Sequence, residues 1–434
     1  MSKPRLRATT EVPPGDRRRD PAVWVTVLFV LTFLFQRISL PAISIPVTLP
    51  IASVWLGLAW LRGVVTFDPR RMVLWLVAAG ISGAMVLPQL MFIPSPYVSF
   101  NSWALWIVIW LPLVVRLRDR SRSDYLRTLR AVAHAGVGIA ALSLLFMLIQ
   151  LLGVRYVDWL AEFVPNPLLV HDYVVSYPIA YGSPLYKSNA WLALEPSFLS
   201  FMIGACVVAA LIVRMSVPKV LILIAGLLST LAGSGLAVLG AYLVGLIIVG
   251  RIAGLRKYVV PVALLIMGFA TTAFADAITR RFFEAGDPRS STALRATEPY
   301  VQLWPKWIAD PIGILVGQGA GSSAEIVRSL PIEGLLVPSV AKVIFDYGLI
   351  GGVALIILMI STYLRSPDPL FALTLAASMF VLQSASQPLV ICSVMLVSLW
   401  SPPERPAMRA RPGPGGAVRA PRANSADAVL VGAP

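Results

Sequence analysis

The sequence predicts an all-α polytopic membrane protein of about twelve transmembrane helices, both termini inside, with two long external loops. Three observations lead there. Of the 434 residues, 57% are hydrophobic and only 13% charged. Long apolar runs recur from residue 22 to residue 400. Once those runs are taken as spans, the positive charges gather on one side of the membrane.

A span needs roughly 20 apolar residues. Breaking the chain at polar and Pro/Gly-rich stretches places spans near 22–38, 41–61, 72–93, 101–115, 131–152, 191–213, 217–233, 235–250, 258–278, 338–363, 370–384 and 387–400. Residues 1–21 are basic and Pro-containing, with Arg17, Arg18 and Arg19 in a row, and read as a disordered cytoplasmic tail with no cleavable signal peptide. Residues 217–250 hold two helices hinged at Gly233-Ser234-Gly235, and 370–400 hold two hinged near Gln383-Ser384-Ala385-Ser386-Gln387. Residues 401–434, rich in Pro, Arg, Ala and Gly with no apolar period, read as a second disordered tail. The transmembrane domain is thus 22–400, with external loops at about 153–190 and 279–337.

With the N-terminus inside, 26 of the 36 Lys and Arg fall on inner segments, six of them in RLRDRSRSDYLRTLR (116–130). Acidic residues divide 9 inside and 12 outside, so the inner segments carry +17 and the outer ones −2. This positive-inside pattern accounts for the net charge of +15 and argues against nucleic acid as a partner. Cys206 and Cys392 sit within apolar runs and read as packing. There is no CxxC or His/Cys cluster, and His134 and His171 stand far apart, so neither a metal centre nor a cofactor is expected.

Polar residues at the membrane boundary carry the functional reading. In SNAWLALEPSFLSFMIGACVVAALIV (188–213), Glu195 precedes a proline suited to a first helical turn. The carboxylate has two readings. It caps the helix through the positive end of the dipole, or it faces a cavity as a proton acceptor or hydroxyl-binding group. Lys187 and Asn189 lie just upstream as candidate binding residues. In the second external loop, Arg280 and Arg281 emerge from a span and Arg295 follows Ser290, Ser291 and Thr292. External arginines against the positive-inside trend suggest an anion site, since the guanidinium fork suits phosphate oxygens. Lys342 and Asp346 stand one helical turn apart, so they pair with each other or Lys342 meets substrate. GQGAGSS (317–323) lacks the GK[ST] ending of a nucleotide-binding loop and reads as a turn that lets backbone approach a ligand or a helix. In LLSTLAGSGLAVLGAYL (227–243), small residues suit close helix packing, with Ser234 facing a cavity as the second possibility.

Taken in order, NAWLALEPSFLS (189–200), LAGSGL (231–236), SSTALR (290–295), W…DPIGILVGQGAG (307–321) and DYGLIGG (346–352) resemble the O-antigen ligase and Wzy-type polysaccharide polymerase superfamily. The resemblance covers most of 185–360. It implies a GT-C class glycosyltransferase in a bacterial inner membrane, multi-pass, with its active face periplasmic. Such an enzyme joins sugar units carried on undecaprenyl diphosphate without a metal. The implied partners are that lipid-linked oligosaccharide and the growing polysaccharide, with a chain-length regulator and a flippase as further candidates. The resemblance gives Arg295 the diphosphate, Arg280 or Arg281 a matching place at the start of the loop, and Glu195 the glutamate of polymerase-type members. Ligase-type members carry a histidine before the E-x-G-x-x-G helix. Here LLVPSVAKVIFDYGLIGG (335–352) has none, which favours a polymerase of an O-antigen or exopolysaccharide repeat unit. A ligase of the same superfamily and a twelve-span transporter remain the alternatives.

Overall fold

Proline and aspartate mark where many of the apolar helices begin. Pro21, Pro69, Pro196, Pro369 and Pro388 stand in first turns, where a missing N–H leaves no bond unmade. Asp20, Asp68 and Asp368 accept backbone N–H bonds there. The structure is a computed structural model that describes residues 20–41, 45–94, 97–118, 121–171, 173–179, 183–271, 293–332, 335–382 and 386–400. Both tails therefore lie outside the described residues.

Each apolar run expected to cross the membrane holds a helix among its described residues. Four helices are long and apolar enough to cross: Pro69–Phe92, Arg122–Leu151, Ile252–Ala270 and Ser339–Tyr363. The others are 10–17 residues long: Pro21–Phe35, Thr48–Leu61, Phe100–Val114, Pro196–Ile212, Val217–Ser229, Gly233–Ile248, Pro369–Phe380 and Gln387–Trp400. At 1.5 Å per residue, a 14-residue helix spans only about 21 Å, against a hydrocarbon core of about 30 Å. The short ones end early because Pro, Gly and polar residues interrupt the apolar runs.

The first expected hinge is displaced. The chain turns at Thr230–Ala232, with Leu231 in the left-handed region (φ 47°). Gly233, Ser234 and Gly235 already belong to the next helix. The reason is packing: a Cβ on Gly235 would lie 1.9 Å from the Ser200 carbonyl oxygen. Glycine here lets Gly233–Ile248 press against Pro196–Ile212. At the second hinge, Pro369–Ala377 continues as a π turn, Ser378–Leu382, and a new helix begins at Gln387; residues 383–385 lie outside the described residues.

Contacts sort the connections between helices into two sets that alternate along the chain. In one set, Val65–Phe67 pairs antiparallel with Val115–Leu117. Arg127 bonds Asp20 at 3.0 Å, buried Arg71 donates to the Ser398 carbonyl at 3.0 Å, and the Tyr258 hydroxyl donates to the Met215 carbonyl at 2.6 Å. In the other set, Ser39–Leu40 pairs with Ile45–Pro46 and Ile38 bridges Leu169. There the Ser188 N–H reaches the Ser229 carbonyl at 3.3 Å, and Ser99 N–H the Ala320 carbonyl at 2.9 Å.

The two long loops of the second set hold structure that their sequences did not announce. The first contains Trp159–Phe163 and a 3-10 turn, Asn166–Leu168. The described part of the second is four short helices, Ala293–Ala296, Glu298–Ile308, Pro311–Val316 and Ser322–Ser329. Leu303 and Trp307 of this segment pack on Val337, Ala341 and Phe345 in a small apolar core.

Candidate functional site

Glu195 is placed by the turn before it. Ala190 and Trp191 both have positive φ (50° and 58°), which doubles the chain back ahead of the helix Pro196–Ile212. Side chains from within and outside hold that turn. Asn189 Oδ1 accepts the Trp191 N–H at 2.9 Å and Asn189 Nδ2 donates to the Val175 carbonyl at 3.2 Å. From the end of Pro21–Phe35, Gln36 Oε1 accepts the Leu194 N–H at 3.2 Å, and Arg37 donates to the Trp191 carbonyl at 2.8 Å. Arg37 is buried and also grips Asp158 through both oxygens, at 2.7 and 2.6 Å. A bidentate pair of this kind fixes geometry as well as charge. Beneath the turn, Phe146 packs on Trp191 and Tyr156, and Tyr156 on Tyr186. Burial pushes the Tyr156 phenol above its ordinary value, against the opposing Ser176 hydroxyl, so it stays protonated at neutral pH.

The Glu195 carboxylate is 4% exposed and occupies the N-cap position, yet makes no side-chain cap bond. The simple capping reading is therefore incomplete. Its Oε2 instead accepts the Ser197 hydroxyl at 2.9 Å and Arg295 Nη2 at 2.8 Å. The two residues singled out for catalysis, a hundred positions apart, are thus partners. Arg295 comes from the short helix Ala293–Ala296, whose Leu294 carbonyl accepts the Leu336 N–H at 3.3 Å. Its side chain is 15% exposed, against 5% for Glu195. The pair is therefore enclosed on the Glu195 side and reachable on the arginine side. Arg280 and Arg281 lie outside the described residues.

A second cluster forms around Asp346, which is fully buried. Its carboxylate accepts the N–H groups of Gly321 at 3.2 Å and Ser323 at 2.9 Å, at the start of Ser322–Ser329. Lys342 Nζ reaches it at 2.8 Å and Ser323 Oγ at 3.3 Å. The intrahelical pair read for Lys342 is present. The glycine loop approaches a helix: Gly348 breaks Ser339–Tyr363 with φ 65°, and a Cβ there would lie 2.3 Å from the Leu315 carbonyl oxygen. Gln89 closes the junction, donating to the carbonyls of Val316 at 2.5 Å and Asp346 at 2.9 Å.

The other expected binding residues have partners within the protein. Asn189 is 1% exposed, with its amide in the turn described above. The Ser234 hydroxyl donates to the Ser197 carbonyl, two residues beyond Glu195. The Lys187 ammonium lies 5.8 Å from the Tyr177 ring centroid. Arg37 was missed in the sequence, and Asp346 was read there only as a partner for Lys342. The signal for Arg37 is a lone arginine closing the first apolar run; for Asp346 it is a carboxylate inside one. Among the described residues no group of three or more His, Cys, Asp or Glu comes together.

Chemically, the paired arm offers a carboxylate able to take a proton and a guanidinium able to take an anionic oxygen. No protein-family model matches the chain, and no curated protein matches it.

Proposed function

We propose that the chain is a polytopic inner-membrane glycosyltransferase of the GT-C class. It extends a polysaccharide by moving glycan from undecaprenyl diphosphate to an acceptor sugar hydroxyl. The observation that carries this reading is the Glu195–Arg295 pair, buried on its acidic side and 2.8 Å long. It joins the two motifs to which the superfamily resemblance assigned the reacting groups.

The chemistry follows from the pair. The bond from the sugar anomeric carbon to the diphosphate oxygen breaks, and negative charge grows on that oxygen. Arg295, the more exposed partner, turns from Glu195 to the diphosphate and stabilises that charge. Glu195, held by Ser197 and released from its cation, takes the proton of the acceptor hydroxyl as the new glycosidic bond forms. Undecaprenyl diphosphate leaves. With no substrate, the ion pair keeps both groups satisfied.

Twelve spans, with both termini inside, fit the two alternating sets of connections. The set holding Arg71, Arg116, Arg127 and Lys257 would face the cytoplasm, and the set holding Glu195 and Arg295 the periplasm. The 10–17-residue helices would cross where the protein thins the bilayer or lends polar ends to it.

The test is the lipid-linked glycan of a deletion strain. Single repeat units accumulating on the carrier, restored to long chains by wild type but not by Arg295→Ala, support the polymerase. Long carrier-linked chains in the deletion strain point to the ligase instead.

A further inference from the structure

A cavity of about 810 Å³ opens at the end of the helices remote from Glu195. The helix Pro196–Ile212 has 17 residues and separates the two sites by roughly 25 Å. Glu195 precedes its first residue, and Leu211 and Ile212 line the cavity at its last. Three arginines from three connections of the inner set converge there: Arg122, Arg214 and Arg251. All three are exposed, and among the described residues none forms an ion pair or a side-chain hydrogen bond. The one carboxylate in the wall, Asp368, caps its own helix by accepting the Phe371 N–H at 3.0 Å. Three positive charges against one negative leave a net cationic pocket.

The rest of the wall is largely apolar. Ile248 and Val249, beside Arg251, are 79% and 55% exposed. A free anion in water has no use for such a surface. An amphiphile uses both halves, since its phosphate meets the arginines while its chains lie along the end of Gly233–Ile248. We propose that this cavity is a binding site for an anionic phospholipid of the adjacent leaflet. The bound lipid holds together the connections at 212–216, 249–255 and 367–370, and so fixes the inner ends of the helices that carry Glu195 and Ser234 at their outer ends. This reading requires only that the helices are membrane-embedded; it does not depend on the glycosyltransferase assignment.

The test uses the full chain purified in detergent and stripped of lipid. Phosphatidylglycerol, phosphatidylcholine and inorganic phosphate are added separately. Retained lipid is read by native mass spectrometry and stability by thermal unfolding. Phosphatidylglycerol should be retained at least about tenfold better than phosphatidylcholine and should raise the unfolding temperature. Losing two arginines, in Arg122→Gln/Arg251→Gln, should weaken that retention about thirtyfold. Arg365→Gln, an exposed arginine on the same face but outside the cavity wall, should leave it unchanged. Equal retention of both lipids, or equal loss in Arg365→Gln, overturns the site. Stabilisation by inorganic phosphate as large as by phosphatidylglycerol makes it a soluble-anion site and overturns the lipid. If the double variant does not fold, the wild-type ratio of the two lipids decides alone.

Discussion

Glu195 and Arg295 divide the work of one pair, and their substitutions should differ in kind. Arg295→Ala removes the group that meets the diphosphate, and elongation should fall more than about 100-fold. Arg295→Lys keeps the charge but loses the planar fork, so its rate should fall between alanine and wild type. Glu195→Gln keeps the shape and a partner for Ser197 while removing the proton acceptor. The protein should remain in the membrane at normal amounts, read by immunoblot, with long chains absent from the lipid-linked pool. Normal chain length in either Arg295→Ala or Glu195→Gln contradicts the assignment. Glu195 stood out in the sequence because charge is costly at the edge of an apolar run, and Arg295 because it lies in an external loop against the positive-inside trend. Asn189 stood out by its place upstream of Glu195 and Ser234 by its small-residue stretch, and both make hydrogen bonds to backbone partners. Nothing in the type of a residue tells whether its hydrogen bonds go to ligand or to backbone.

The glycine loop and the helix Ser339–Tyr363 make the sharpest prediction among the elements. Gly317 has φ 87°, and a Cβ on it would lie 2.4 Å from the Asp346 carbonyl oxygen. Gly348 is as constrained, and Gln89 pins the same junction. Gly317→Ala and Gly348→Ala should each cost about 2 kcal/mol or more of stability. Gly240→Ala, inside a helix with nothing within 4 Å, should be neutral or slightly stabilising. Thermal melts of the three variants by size-exclusion chromatography check this. Asp346→Asn should lower stability as well, because Lys342 then loses its charged partner in a buried site. At this scale the sequence was readable in part. Apolar length and the polar and Pro/Gly-rich breaks between runs placed the helices, whereas the hinge at Thr230–Ala232 was not readable. Gly-Ser-Gly marks either a turn or a close approach, and only the Ser200 backbone across the interface decides which. The short helices of the second long loop were hidden because each is stabilised by neighbours distant in sequence.

Across the whole molecule, charge bias was the most informative pattern, because the membrane imposes it on every connection at once. It predicts a labelling pattern. Cys206 and Cys392 are fully buried, so both can stay in place as silent background. A cysteine introduced at exposed Ser121 should react with an impermeant maleimide only after the membrane is opened, and one at exposed Asn166 or Ser329 in intact spheroplasts. Reversal at any of the three would move the Glu195–Arg295 pair to the wrong face for a periplasmic enzyme. The site was legible as two motifs in order; their direct contact was not, because it rests on the fold of the second long loop. The measurement that tests the central claim most directly is chain extension by the purified protein in liposomes given one labelled lipid-linked repeat unit. Wild type should yield a ladder of longer lipid-linked products, while Arg295→Ala and Glu195→Gln leave the single unit unchanged. A single unit left unchanged by wild type, or a ladder made equally by the variants, would contradict it.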